Sequence, residues 1–323
     1  FRNATWNTVY FVLLTVIPNT LVSLAIAMAR SGKDVTLWAR DVRDMADRRE
    51  NTLRLPGFAF PDKLVITEHM PAITDDVVLL AVPMQKLRAF LSEYCEVLSG
   101  RTLVATCKGI DVETGEGPGE IIRRLCPNAT PALLSGPSFA VDVAAGLPTA
   151  LTLAASEPEP LQHALTGGNL RLYRSTDMIG VETGGAMKNV IAIACGLAIG
   201  AGLGESARAA LMTRGFAEMN RFAVARGAEA DTLQGLSGFG DLTLTCTSEK
   251  SRNFAYGLSL GRGEPQAEGV TIEGKATAKA VSNAATKAGI EMPITNMVVA
   301  VMSGHITINE ASDLLLARPL KEE

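Results

Sequence analysis

The first half of the chain alternates between two kinds of stretch, and that alternation restricts the fold more than any other feature. "VYFVLLTV", "DVTLW", "KLVIT", "DVVLLAVP", "RTLVATC", "TPALLSG" and "PTALTLA" are short, rich in Val, Leu and Thr, and bounded by Gly, Pro or charge. Between several of them lie helical stretches. "LVSLAIAMARSG" is one; another is "MQKLRAFLSEYCEVLSG", apolar at three-to-four spacing and closed by Gly100. Continuous apolar strands alternating with helices predict a mostly parallel sheet covered on both faces, with ligands at the strands' carboxyl ends. After "RLYRST" strand signals become rare. "MIGVETGGAMKNVIAIACGLAIGAGLG", "ESARAALMTRGFAEMNRFAVARG" and "NEASDLLLAR" are Ala/Leu/Met-rich and predict an all-α second domain. The expected domains are therefore 1–179, α/β with a mostly parallel sheet, and 180–323, helical. A cleft between two such domains is a default ligand site.

The opening unit, "VYFVLLTVIPNTLVSLAIAMA" (residues 9–29), has the rhythm of a nucleotide-binding βαβ unit, yet its "PNTL" turn holds no glycine. Such a turn normally needs glycines so that a diphosphate can approach the backbone. The span is about long enough to cross a bilayer, and "AMA" resembles a signal-peptide cleavage site. Against a membrane segment stand Pro18-Asn19-Thr20 in mid-span and the smooth continuation into "SGKDVTLW". A buried strand followed by a packed helix is the favoured reading, with no stable membrane insertion.

Composition removes other classes. A formal charge of −4 gives no general attraction to nucleic acid or anionic membrane, so any anion site must be built locally from a few cations and backbone N–H groups. Five scattered cysteines without a CxxC pair suit a reducing cytoplasm better than a disulfide framework or a zinc site. With His69, His163 and His305 widely spread, no histidine-metal centre is expected.

Four stretches join reactive side chains to permissive glycines. "ATCKGI" sets Lys108 directly after a strand. "LSGPSFA" ends a strand in the turn Gly136-Pro137-Ser138. "GVETGGAMKNVIAIACG" places Lys188 and Asn189 on a helix taken to start at Gly184-Gly185. "GLSGFGDLTLTCTSEKSRN" supplies Asp241, Thr245, Ser251, Arg252 and Asn253. Each has a bland counterpart: a solvated lysine, an ordinary turn, "SRN" as a helix cap. Together, two lysines, an arginine, an aspartate and turn amides suit a small phosphorylated carbonyl compound.

From about Leu24 onward the chain resembles the bacterial NAD(P)-dependent glycerol-3-phosphate dehydrogenases. The resemblance is carried by "DVTLWARD", "NTLRLPGFAFPDKLVIT", "CKG", "SGPSFA", "GGAMKNVIAIACG", "ARAALMTRGFAEM", "GLSGFGDLTLTCTS", "SRN" and "EMPIT". It implies a Rossmann-like domain followed by a helical one, a homodimer, and interconversion of dihydroxyacetone phosphate and sn-glycerol 3-phosphate for glycerophospholipid synthesis. It makes Lys188 the catalytic acid/base and puts Lys108 near both cofactor and substrate. Gly136, Ser138, Asp241, Ser251, Arg252 and Asn253 fall in the substrate region, and Ala140, Arg252 and Glu273 beside the cofactor. Glu273 lies in "TIEGKATA", after a loop shorter than the family's.

The same resemblance puts the family's three phosphate-loop glycines at Val16, Pro18 and Leu21, where all are missing. The departures stop sharply near Leu21, the mark of a local replacement of the N-terminal segment, such as a shifted reading frame, rather than of point drift. Pro18 removes an N–H donor, and Leu21 is expected to put a branched side chain where a pyrophosphate would sit. The fold should survive and dinucleotide affinity should fall, with a cofactor-impaired or non-catalytic relative as the alternative. Asn19 and Thr20 occupy the turn positions that touch cofactor in the family. Trp38 ends the second strand, where an NAD-selective acid often stands. Arg40 follows and can take the 2′-phosphate of NADP, so NADP or NAD is expected; pairing of Arg40 with Asp41 or Asp44 is the open alternative.

Overall fold

A computed structural model of the chain describes residues 8–12, 19–70, 76–265 and 270–317. The strands are β1 (Thr8–Val12), β2 (Asp34–Trp38), β3 (Leu64–Thr67), β4 (Val77–Leu80), β5 (Thr102–Ala105), β6 (Thr130–Ser135), β7 (Thr149–Ala155) and β8 (Leu170–Ser175). The helices of the first half are α1 (Asn19–Arg30), α2 (Arg43–Arg48), α3 (Met84–Leu98), α4 (Pro118–Leu125), α5 (Ala140–Ala144) and α6 (Pro158–Leu165). Those of the second half are α7 (Met178–Gly200), α8 (Gly204–Ala225), α9 (Ala230–Gln234), α10 (Asp241–Cys246), α11 (Arg252–Gly261), α12 (Glu273–Ala288), α13 (Pro293–Met302) and α14 (Ile308–Leu316), with a π-helical turn at Leu236–Gly240.

Two compact units result. The α/β unit comprises Phe1–Lys108 and Glu116–Glu182; the helical unit comprises Gly109–Gly115 and Thr183–Glu323. Unlike a single cut at residue 180, this division assigns the short stretch after Lys108 to the helical unit.

In the α/β unit the eight strands form one sheet in the order β3-β2-β1-β4-β5-β6-β7-β8. Every pair is parallel except β6 with β7. The sheet is therefore of the mostly parallel, Rossmann-like kind. Strand β4 is buried along its whole length, as its unbroken "VVLL" requires when helices cover both faces. The connection order reverses at β1, which lies between β2 and β4. That reversal opens a crevice at the strands' carboxyl ends, the usual seat of a dinucleotide.

Helix α1 is covered by its surroundings. Leu21, Val22, Ala25 and Ile26 are fully buried and join the core under the sheet with Val35, Leu37 and Leu134. This corrects the expectation for Leu21. Its side chain fills the core instead of obstructing the helix N-terminus, because the helix turns that position toward the sheet. Val16 and Pro18, the other two positions of the missing glycines, lie outside the described residues.

In the helical unit α7 is apolar all round: Val190, Ile191, Ala192, Ile193 and Cys195 are each at most 1% exposed. It is long and apolar enough to cross a membrane, but 89% of its most apolar window is buried inside the protein. A helix hydrophobic on every side is what the centre of a helical bundle needs.

Candidate active site

In the α/β unit, Lys108 follows β5 and its Nζ donates to the Gly136 carbonyl at 3.2 Å. Ser138 Oγ donates to the same oxygen at 3.4 Å. Gly136 has φ +146°, and a Cβ there would lie 3.1 Å from Leu151 Cα, so both conformation and space demand glycine. Ala140 opens α5 two residues beyond Ser138. Lys108, Gly136, Ser138 and Ala140 thus gather after β5 and β6, at the carboxyl ends of neighbouring strands.

The nearer N-terminal candidates are less telling. Asn19 starts α1, but its side chain lies outside the described residues. Thr20 is half-buried, and its carbonyl accepts from Ser23 Oγ at 2.8 Å. Arg40 pairs with Glu93 of α3 at 2.9 Å, not with Asp41 or Asp44, which bind Arg43 and Arg48. Trp38 is buried and donates from Nε1 to the Glu68 carbonyl.

The helical unit holds the most constrained cation. Lys188 is 7% exposed, and its Nζ lies 2.5 Å from Asp241 Oδ1 and 3.0 Å from Thr245 Oγ1. Asp241 is 1% exposed and is the first residue of α10; Thr245 stands one turn later on the same helix, donating to the Asp241 carbonyl at 2.6 Å. An ammonium has three N–H donors. Asp241 and Thr245 fix two of their directions, and so fix the third. Close by, burial pushes the Cys246 thiol well above its ordinary range, reinforced by a hydrogen bond with Cys195.

The glycines before Lys188 do not start a helix, as the sequence suggested. Helix α7 begins at Met178, and Gly184 sits inside it, where a Cβ would meet the Ser237 carbonyl at 2.7 Å. Gly184 lets the π-helical turn before Asp241 lie against α7, which brings Asp241 to Lys188.

A second close approach positions the arginine. A Cβ on Gly196 would lie 2.2 Å from the Phe254 carbonyl, and one on Gly200 2.2 Å from that of Leu258. Conversely, a Cβ on Gly257 would lie 2.2 Å from the Ile193 carbonyl, and one on Gly261 2.5 Å from that of Leu197. Helices α7 and α11 therefore run parallel with backbones in contact. Extending this register toward their N-termini brings Ser251–Arg252 level with about Ala192, roughly one helical turn from Lys188.

Ser251 caps α11, its Oγ accepting from Phe254 N at 3.2 Å. The helix-cap alternative thus describes its side chain. Arg252 is exposed at the first position of α11. Asn253 is buried, and its Oδ1 accepts from Gly274 N at 2.9 Å, tying the start of α11 to that of α12, where Glu273 is the first residue. Asn189 Nδ2 is buried without a hydrogen-bond partner.

The family description "NAD-dependent glycerol-3-phosphate dehydrogenase N-terminus" matches residues 22–160, and its C-terminal counterpart matches residues 177–313. Glycerol-3-phosphate dehydrogenase [NAD(P)+] of Ruegeria sp. is 58% identical over 309 residues, covering 93% of this chain and 96% of the relative. The chain belongs to the NAD-dependent glycerol-3-phosphate dehydrogenase family. The enzyme of the same description from Paracoccus denitrificans is 55% identical, with 93% and 96% covered. A crystal structure of glycerol-3-phosphate dehydrogenase from Coxiella burnetii superposes with a TM-score of 0.90 at 34% identity, covering 97% of this chain and 99% of that one. The N-terminal family match starts at residue 22, just past the turn that lacks glycines.

Thr245 was visible only as part of a glycine-rich stretch; its spacing of four from Asp241 is the signal that both share one helix face. The glycine pairs Gly196/Gly200 and Gly257/Gly261 each carry the small-xxx-small spacing of closely packed helices, which could have predicted the α7–α11 contact.

Proposed function

We propose that the chain is an NAD(P)-dependent sn-glycerol-3-phosphate dehydrogenase, interconverting dihydroxyacetone phosphate and sn-glycerol 3-phosphate for glycerophospholipid synthesis. The observation that carries this reading is the buried Lys188–Asp241–Thr245 set, in a chain similar along nearly its whole length to enzymes named for that activity. The α/β unit suits a dinucleotide: its strand order reverses at β1, and Lys108, Gly136 and Ala140 follow β5 and β6, the second and third strands beyond it on the same side of the sheet. When bound, the reduced nicotinamide supplies the hydride.

In the reducing direction negative charge grows on the substrate's carbonyl oxygen. Lys188, aimed by Asp241 and Thr245, stabilises that charge and donates the proton. Lys108 is the cation that the α/β unit offers the substrate, and Ser138 and the Gly136 turn beside it help hold the substrate. Arg252 grips the phosphate with its planar fork of donors, assisted by Asn253 and the N-terminus of α11, which Ser251 caps. Holding the phosphate end orients the carbonyl, an effect worth several kcal/mol in such reactions. Ala140, Glu273, Asn19 and Thr20 border the cofactor. Arg40 serves NADP, exchanging Glu93 for the 2′-phosphate, and NAD is accepted as well. The protein works in the cytoplasm as a homodimer; light scattering at twice the mass of one chain supports the dimer, and a single-chain mass refutes it.

The experiment follows oxidation of NADPH by dihydroxyacetone phosphate. Lys188→Met should lower kcat by about 10²–10⁴-fold while NADPH binding, read by fluorescence, is retained. Turnover within tenfold of the native enzyme would remove Lys188 from the chemistry.

A further inference from the structure

The stretch Gly109–Gly115, which directly follows Lys108, packs with the helical unit. It is internally closed. The buried Asp111 carboxylate accepts from Glu113 N at 3.0 Å, Thr114 N at 2.9 Å and Thr114 Oγ1 at 3.1 Å. Gly115 N donates back to the Asp111 carbonyl at 2.9 Å. Ile110 is 2% exposed, which anchors the start of the stretch in apolar surroundings. Gly109 (φ +144°) and Gly115 (φ +74°) mark its two ends with left-handed backbone that other residues rarely adopt.

One long cation reaches this turn from α8. Arg226, at the C-cap of that helix, donates from Nη1 to the Gly115 carbonyl at 3.1 Å. Its guanidinium carbon lies 5.7 Å from the ring centroid of Phe222, one turn back and 2% exposed. Stacking on a buried ring restricts the guanidinium before it meets the carbonyl, so little freedom is lost on binding. The Asp111 bonds close residues 111–115, and buried Ile110 joins that closed turn to Gly109, whose peptide bond leads to Lys108.

We propose that Arg226 is a positioning residue for Lys108: by clamping the Asp111–Gly115 turn it fixes the backbone from which the Lys108 side chain projects. The inference rests on the reading that Lys108 acts on the substrate. Lys108 is then held on both sides, by β5 before it and by the clamped turn after it. Arg226 touches no reacting atom and acts only through that backbone.

A double-mutant cycle tests both layers. Arg226→Ala should lower kcat/KM for dihydroxyacetone phosphate by about tenfold, and in a Lys108→Ala background the same change should cost less than about twofold. Arg226→Lys, which keeps a donor for the Gly115 carbonyl but loses the planar stack on Phe222, should lower kcat/KM by less than Arg226→Ala does, with the same dependence on Lys108, and covers the case that Arg226→Ala fails to fold. If Lys108→Ala alone leaves activity unchanged, the reading of Lys108 is wrong. If Lys108→Ala is crippled but the Arg226 substitutions lower activity by the same factor in both backgrounds, Arg226 supports the fold only, and the positioning role is overturned.

Discussion

Gly257→Ala probes how far the site depends on the α7–α11 contact. The added Cβ would stand 2.2 Å from the Ile193 carbonyl and 3.0 Å from Leu197 N, both backbone atoms of a buried helix. Neither atom can rotate away, so relief requires α11 to retreat by about 1 Å, an overpacking that costs about 1–3 kcal/mol. Arg252 opens α11 and must move with it, whereas Lys188, Asp241 and Thr245 lie on α7 and α10 and keep their mutual bonds. A displacement of that size in a substrate clamp lowers catalysis by up to about 10²-fold. Steady-state assays with dihydroxyacetone phosphate and with unphosphorylated dihydroxyacetone separate the causes. The phosphorylated substrate should show the large loss in kcat/KM, and dihydroxyacetone, which Arg252 cannot grip, less than about a threefold loss. Equal losses on both substrates would mean that general disruption, not a misplaced phosphate clamp, is responsible. Native kcat/KM on both would show that the helix contact does not set the position of Arg252.

Two other outcomes are expected. Asp241→Asn strands a buried ammonium and should destabilise by about 3–5 kcal/mol, while Lys188→Met/Asp241→Asn should be no worse than Asp241→Asn alone; additive losses in urea denaturation would contradict a tight pair. Glu218 of α8 caps α13, accepting from Ile294 N at 2.6 Å and from Thr295 N and Oγ1 at 3.1 and 3.0 Å, yet burial outweighs these bonds and raises its carboxyl above the ordinary range. The folded state therefore holds this proton to higher pH than the unfolded state. Its contribution to stability is greatest below the unfolded carboxylate range, about pH 4, and declines as pH rises through the folded value. Glu218→Gln should flatten that decline, and melting curves across pH that superpose on the native ones would refute it.

The sheet was readable because each strand carries its own signal. "DVVLLAVP" is apolar without interruption, and a strand buried on both faces has no other pattern available. Lys108 and Gly136 were readable for a related reason, since each sits at a strand end followed by a turn. The helical site was less legible. The pair Gly184-Gly185 looks like a helix start when judged by neighbours in sequence, but α7 continues through it because Gly184 is matched to the Ser237 carbonyl from another part of the chain. Leu21, which its place at a helix tip marks as an obstruction, is turned into the core. Arg40 had two acidic neighbours in sequence, yet its partner is Glu93, 53 residues away.

The amino-acid order by itself determined which segments become strands and helices, and which residues bring charge and hydrogen-bonding capacity, because local periodicity and side-chain chemistry need no distant partner. Only the tertiary structure decided that Lys188 is held by Asp241 and Thr245, that α11 lies against α7 through four glycines, and that Arg226 grips the turn after Lys108. Those are choices among partners far apart in the chain, and they are settled by packing, where a Cβ fits or does not and a buried donor finds its acceptor or destabilises the fold.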